Sequence, residues 1–580
     1  MALTTVARTP SKVGPAGARV RSRGARLAYA GCAVAALSFI GYFRRWSQFG
    51  FYGDDAAMIG GAINRSWHEE FQHLLLCLTG WPQGRPLGFG INLGVVPHAV
   101  FAVGGLGALH LFAFALLAVN ATLLYAAVAR SSPPVVAFAV AAFYAASPAD
   151  TVKPSLVYGY NFEIAILFGL LAVHAALSRR AWSFSLAVIA ALWMVEPVAL
   201  FALAAPPFLL PRGTEGRRAW LVRHVCVWTG VVALVLSARR LVGDSNGGER
   251  VGEALASPLI TLHHAVGSAW TGLATHADLV AERVLLPARE GAGTGWTMVA
   301  LAGAVALGTL LALSAEVRGR GGDKRDTPPP VIGAVSLVGG GVLTMLACYA
   351  AYFRLPWYPA SWRDGFLSGV HVVPALGAAL VFGGLVQALL AALPRRLGRL
   401  ALLLPAVALA MLAGFGDLVQ QDYATSWRFQ KEFWRAYTEL CRDAADGTYV
   451  VVRDRGLPPV RYTDLLSWTA EILPDGLFQY HEVVARPPVV MLGAPKLAQL
   501  IRAEGSGFRW TPAYHYMLPK GPDEQPQPGN VIVLERREGR WRRVQGDAAV
   551  VGGTLRLRPA AGDFLGRLRA RPLAHVFGVG

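Results

Sequence analysis

The sequence predicts an all-α polytopic transmembrane bundle of about eleven helices, amino end inside and carboxyl end outside, with a small extracytoplasmic α/β domain at the C-terminus. Three observations predict it. Of 580 residues, 54% are hydrophobic and only 16% charged, and the mean hydropathy is +0.41. Apolar stretches recur near the length of about 20 residues that a helix needs to cross a bilayer. The net charge of +18 gathers in short loops between those stretches, as the positive-inside rule expects. The basic balance therefore does not indicate nucleic acid, and no basic patch interleaved with aromatics is present to read single strands. The five cysteines, at positions 32, 77, 226, 348 and 441, show neither metal-ligand spacing nor a disulfide framework.

Residues 1–26 read as a disordered cytoplasmic tail carrying Arg8, Lys12, Arg19, Arg21, Arg23 and Arg26. The first helix spans 27–43. No small-residue cleavage site follows it, so it reads as an uncleaved signal anchor. Arg44 and Arg45 then fall on the wrong side for the charge rule and are outweighed by the tail. An outer loop over 44–104 contains "AAMIGGAINRSWHEEFQHLLL", whose helical period and mixed polarity suit an amphipathic helix on the membrane face. Helices follow over 105–129, 134–148 and 161–178. Residues 182–210 read as a hairpin of two short helices broken at Glu196-Pro197, which keeps the arginine-rich "PRGTEGRRAWLVRH" inside. The remaining helices span 225–241, 293–314, 331–353, 366–391 and 400–417, with outer loops at 149–160, 242–290 and 354–365. Residues 418–580 change character: strand-like runs such as "TYVVVRD" and "NVIVLERR" alternate with helix-like ones such as "WRFQKEFWRAYTEL", an α/β pattern.

Most acids ahead of that tail fall at outer helix ends: Asp54, Asp55, Glu69, Glu70, Asp150, Glu163, Glu196 and Asp364. Arg85, Lys153, Tyr158, Tyr160, Arg354, Trp357, Tyr358 and Arg363 share those loops. A carboxylate can take a proton from an attacking hydroxyl, Arg and Lys hold phosphate, and aromatic faces suit sugar rings. Together they fit transfer of a group from a lipid phosphate at the membrane surface.

A first helix followed by an acidic pair in the first outer loop resembles the GT-C superfamily of integral-membrane glycosyltransferases. The stretches that carry the resemblance are "YGDDAAMIGGAINRSW" (52–67), "WPQGRPLGFG" (81–90), "LHLFAFALLAVNATLLYAAVAR" (109–130), "FYAASPADTVKPSLVYGYNFEIAILF" (143–168), "WMVEPVAL" (193–200) and "YPASWRDGF" (358–366). It covers about residues 27–420 and implies a transferase that takes its sugar from a polyprenyl phosphate. The acceptor is then a glycan, lipid or protein hydroxyl, and the protein a multi-pass one of a bacterial inner membrane. It implies that Asp54 or Asp55, not distinguished by sequence, is the catalytic base, and that Arg85, Lys153 and Arg363 hold the donor phosphate. No cofactor is expected. Some members use a divalent metal, but no dense acidic ligand set is legible here.

Bland readings compete. An Asp pair after a helix is commonly a solvated cap, Arg85 before Pro86 can snorkel to headgroups, and Glu196-Pro197 suits a bend. Trp357 and Tyr358 suit an aromatic belt, His110 a packing role, and Glu69-Glu70 the solvated face of the loop helix. Other functions also compete. A transporter or flippase usually shows an inverted repeat, and none is legible. A polysaccharide polymerase or ligase using Arg250, His263, His264 and His276, and a non-enzymatic scaffold, remain open.

Overall fold

A computed structural model describes residues 15–211, 214–242, 256–290, 294–319, 330–352, 359–394, 397–453, 457–466, 473–493, 501–505, 507–510, 525 and 527–579. Arg250, Arg354, Trp357 and Tyr358 lie outside the described residues. In chain order the helices are α1 (Pro15–Ser38), α2 (Asp55–Asn64), α3 (Trp67–Gly80), α4 (Val96–Val128), α5 (Pro134–Ala145), α6 (Glu163–Leu177), α7 (Ala181–Leu192), α8 (Pro197–Ala204), α9 (Pro206–Leu209), α10 (Arg217–Val242), α11 (Pro258–Glu290), α12 (Thr294–Gly319), α13 (Pro330–Ala350), α14 (Pro374–Ala392) and α15 (Leu403–Leu440). Two short helices, α16 (Leu473–Leu477) and α17 (Pro572–Phe577), belong to the C-terminal region.

Among the described residues, eight helical segments are long and apolar enough to cross a membrane: Gly24–Gln48, Gly88–Val128, Tyr158–Leu177, Arg217–Val242, Gly295–Ala315, Val331–Ala350, Pro374–Ala392 and Leu400–Leu440. Three shorter apolar helices, Pro134–Ala145, Ala181–Leu192 and Pro197–Leu209, occupy the positions of the other expected segments. The hairpin at 182–210 breaks between Leu192 and Pro197, because proline cannot continue the preceding helix. Small residues let the helices approach closely. An ideal Cβ on Gly377 of α14 would sit 2.6 Å from the Gly341 carbonyl oxygen of α13.

Several expectations change. Helix α1 begins at Pro15, inside the tail expected to be disordered over 1–26, and α10 begins at Arg217, inside the expected loop ahead of 225. Much of the loop expected over 242–290 is α11, a 33-residue helix, whose charged and histidine-bearing face hides its periodicity from a hydropathy reading. The last helix does not end at 417 but continues to Leu440, 38 residues in all, or about 57 Å at 1.5 Å per residue. That exceeds the ~30 Å hydrocarbon core, so its C-terminal part leaves the bundle and forms the base of the C-terminal region. This junction defines the domain end of the bundle.

There a four-stranded sheet has the order β2-β1-β5-β6, with β1 (Tyr449–Arg453), β2 (Val489–Gly493), β5 (Val531–Arg537) and β6 (Arg540–Val544). The central β1 pairs in parallel with β2 and β5, and β6 runs antiparallel to β5. Two hairpins, β3 (Ile501–Glu504) with β4 (Gly507–Trp510) and β7 (Asp547–Val550) with β8 (Gly553–Arg556), complete the region. The two-residue period of β1 sends its side chains to opposite faces. Val450 and Val452 join the core of the bundle, while Tyr449 and Val451 pack into a separate small core. The final helix α17 returns to the bundle. Phe577 stacks on Phe51 at 6.0 Å and tilts on Trp427 at 4.9 Å, and the Leu573 N–H donates to Asn64 Oδ1 at 3.0 Å. Full burial of a side chain such as Phe577 is worth ~1.5–3 kcal/mol.

Candidate active site at the domain end

The site is built on the turn that opens α2. Gly53 takes a left-handed φ of +52°, and a Cβ there would lie 2.3 Å from the Phe366 ring, so glycine is required twice over. The turn delivers Asp54 to the N-cap of α2 and Asp55 to its first turn, where carboxylates complement the helix dipole. The two acids have different surroundings. Asp54 is half-buried, whereas Asp55 is fully buried. Asp55 Oδ1 accepts the Ser155 hydroxyl at 2.9 Å and the Val157 N–H at 2.7 Å; Oδ2 accepts the Tyr52 and Leu156 N–H groups at 2.9 and 3.0 Å. Burial pushes its carboxyl up, and these four donors pull it back, leaving it at about 7.

Through Asp55 the 147–157 loop is clamped against α2, and the same loop reaches outward. The Thr151 N–H donates to the Ser368 hydroxyl oxygen at 3.0 Å, and the Thr151 hydroxyl donates to the Tyr462 carbonyl at 3.2 Å. The Tyr158 hydroxyl donates to the Phe366 carbonyl at 2.8 Å, its ring edge-on to Phe366 at 5.3 Å. Gly53, Tyr158 and Phe366 thus form an aromatic-lined wall beside Asp54.

The expected phosphate binders stand in different places. Lys153 comes into the same loop but points inward: its ammonium donates at 2.8 Å to the Ser147 carbonyl and to both Asp150 oxygens, with the side chain 6% exposed. Arg85 pairs with Glu196 at 2.6 Å, and Glu196 is shared with Arg239 at 3.0 Å. Arg363 pairs with Asp278 at 2.5 Å and with Glu282, both on α11. The next guanidinium along α11, Arg283, is buried and meets Asp364 at 2.5 Å and the Pro148 carbonyl. Arg363 is thus tied to the 147–157 loop at one remove. Arg85 sits one turn before Gly88, whose Cα faces Asn161 and the Met194 carbonyl.

Several acids act structurally. Glu70, expected on a solvated face, is fully buried and pairs with Arg65 at 2.9 Å, while Glu69 closes a capping box with Ser66. Helix α3 does leave Trp67, Phe71, Leu75 and Leu76 exposed, the face an interfacial helix needs. Glu163 accepts from Asn120 and Tyr144 at 2.7 and 2.8 Å inside the bundle. His110 is buried against the Gly50 carbonyl at 3.2 Å. Among the described residues no group of three His, Cys, Asp or Glu side chains is gathered as a metal site.

One recess borders α2 just after the turn and a second borders the segment ahead of it, and the sequence gives no sign of either. One, about 440 Å³, lies between α2 (Ala56, Ala57, Gly61, Asn64) and the C-terminal region (Asp475, His481, Pro487, Pro488). The other, about 690 Å³, is mostly apolar, with Trp46, Phe49, Phe101, Leu106 and Trp427 on its walls and Lys431 and His575 at its rim. Lys431 lies over the Trp427 ring at 5.6 Å. These residues come together only because α15 overruns the membrane and α17 folds back, contacts between segments far apart in the chain.

Compared with family models, curated proteins and solved structures, the chain matches none, so its class is argued from the residues themselves.

Proposed function

We propose that this chain is a membrane glycosyltransferase that moves a sugar from a polyprenyl-phosphate donor to an acceptor hydroxyl on the outer face of the membrane. The observation that carries the reading is the division of labour in the acidic pair. Asp55 is buried and saturated with hydrogen-bond donors, whereas Asp54, held rigidly beside it, is half-buried at the mouth of the α2 turn. In this reading Asp54 is the general base and Asp55 the positioning residue. Asp54 takes the proton of the acceptor hydroxyl as its oxygen bonds to the sugar's anomeric carbon. The anomeric C–O bond to phosphate breaks, and the lipid phosphate leaves with the electron pair.

The 440 Å³ recess that begins at Ala56 suits the acceptor, and the larger apolar one suits isoprenoid units. Arg85 and Arg363, with side chains 31% and 41% exposed, are the more reachable phosphate contacts. Lys153 would have to leave Asp150 to serve. The three shorter apolar helices are taken to cross as well, giving about eleven passes with the amino end inside and the C-terminal domain outside, in a cell membrane of bacterial inner-membrane type.

The test is transfer of labelled sugar by the purified full-length protein in liposomes. Transfer from polyprenyl-phosphate sugar, abolished by Asp54→Asn, is expected. Transfer from a nucleotide sugar with no lipid-linked donor, movement of lipid-linked sugar across the bilayer without transfer, or no reaction with any polyprenyl-phosphate sugar overturns it.

A further inference from the structure

At the end of the bundle opposite the C-terminal region, the close of α6, the start of α7 and the start of α10 surround a cavity of about 280 Å³. Three arginines line it, Arg179, Arg180 and Arg223, together with Phe184, Trp220 and His224. The last two are hydrogen-bonded to backbone. Trp220 Nε1 donates to the Ala176 carbonyl at 3.2 Å, and His224 Nε2 meets the Leu203 carbonyl at 3.1 Å. What faces the cavity is therefore apolar ring surface and positive charge.

The arginines are held there by a strained stop. Helix α6 ends with Arg180 N–H on the Ala175 carbonyl at 2.9 Å and Arg179 N–H on the Ala176 carbonyl at 3.0 Å. Arg179 takes the left-handed φ of +59° that this helix stop usually gives to glycine, a conformation that a Cβ disfavours. Its guanidinium donates to the Glu215 carbonyl at 2.7 Å, which ties the end of α6 to the segment that leads into α10. Among the described residues no carboxylate pairs with Arg180 or Arg223. At the domain end, by contrast, Arg44, Arg85, Arg239, Arg283 and Arg363 each meet an acid. Next to these lining residues α7 and α10 expose apolar side chains, with Trp182 83%, Leu186 62% and Val222 63% exposed.

We propose that this cavity binds the phosphate of an anionic phospholipid headgroup, with the acyl chains lying along the exposed apolar side chains of α7 and α10. Guanidinium forks match phosphate oxygens in pairs, and basic recesses between membrane helices are suited to anionic headgroups. Those apolar side chains favour a lipid over free phosphate, and the inference does not depend on the enzymatic reading above.

The experiment is native mass spectrometry of the full-length protein in detergent with dihexanoyl phosphatidylglycerol, dihexanoyl phosphatidylcholine or inorganic phosphate. Preferential retention of the phosphatidylglycerol is expected. It should weaken at least tenfold in Arg180→Gln/Arg223→Gln and recover in part in Arg180→Lys/Arg223→Lys, which keeps the charge and loses the fork. Arg399→Gln, another exposed arginine, should leave it unchanged. Both glutamine positions are exposed, and an unchanged melting temperature in phosphatidylcholine confirms that the variant is folded. Equal retention of the two lipids, equal retention by wild type and the glutamine pair, or displacement of the lipid by inorganic phosphate at matched concentration overturns the proposal.

Discussion

Asp55 Oδ1 accepts the backbone N–H of Val157 at 2.7 Å, across 102 positions of the chain. This bond, with its three companions, fixes the acidic turn against the 147–157 loop and separates two adjacent carboxylates into an anchored one and a reachable one. Adjacent residues at a helix start point in different directions, about 100° apart at 3.6 residues per turn, so one acid can enter the packing while its neighbour meets the surface.

That separation predicts two different failures. Asp54→Asn removes the proton acceptor while nearly keeping the side chain's shape, so turnover should fall by about 10²–10⁴-fold in a protein that still folds. Asp55→Asn turns two amide hydrogens toward a site that already supplies four donors, and each donor left unsatisfied costs about 1–3 kcal/mol. It should lower the melting temperature by several degrees, with lost activity following lost fold. Full turnover in Asp54→Asn, or a fully stable Asp55→Asn, removes the basis of the assignment.

The buried carboxyl also gives a pH signature. Burial raises Asp55 from 3.8 to about 7, above its unfolded value, so the folded protein holds a proton that the unfolded chain releases. The associated stability is fully present below pH ~4 and is lost as pH rises through about 7. Wild type should therefore lose melting temperature between pH 5 and 8 by an increment that Asp55→Asn does not show. Parallel profiles for the two proteins would refute this.

How much of this is legible in the sequence follows from what each feature depends on. The bilayer imposes a length and a polarity, so segments such as 331–353 and 366–391 announce themselves and reappear as Pro330–Ala350 and Pro374–Ala392. Helix α11 is hidden because its polar face interrupts the apolar run. Asp150 and Lys153 lie three residues apart, so their pairing is local and visible in principle. The partnership of Arg85 with Glu196 spans 111 positions and depends on how two turns meet. The Asp54-Asp55 pair stands out in sequence, but which acid is anchored rests on a loop about 100 residues away.

Arg44 and Arg45, which violate the charge rule as read from sequence, are answered by one acid inside the bundle. Asp417 is fully buried and meets Arg44 Nη2 at 2.6 Å and Arg45 Nε at 3.7 Å. Removing one partner of a buried pair leaves an uncompensated charge. Since Arg44 is about one third exposed, solvent screens part of the loss. Asp417→Asn should lower the melting temperature in detergent, and adding Arg44→Gln should restore part of it. If the double variant is no more stable than Asp417→Asn, the pairing contributes nothing to stability.

The last prediction concerns orientation, on which the placement of every site residue depends. Arg44 and Arg45 share the single carboxylate of Asp417, and basic residues concentrate in the N-terminal tail and at the end where Arg130, Arg179, Arg180, Arg217 and Arg399 lie. Translocation retains Lys and Arg next to short helix ends on the cytoplasmic side, so that end should be inside and the Asp54 turn, the 147–157 loop and the C-terminal region outside. Reporter fusions after residues 215 and 320 should read cytoplasmic. A fusion after 430 lies in the part of α15 that leaves the bundle and should read external. As a control, Arg179→Gln/Arg180→Gln should weaken the bias at the first junction, while Arg44→Gln/Arg45→Gln should leave it intact because those charges lie at the opposite end of the bundle. An external reading at 215 or 320, or a cytoplasmic one at 430, would put the acidic turn on the cytoplasmic side and remove the argument for a lipid-linked donor approached from outside.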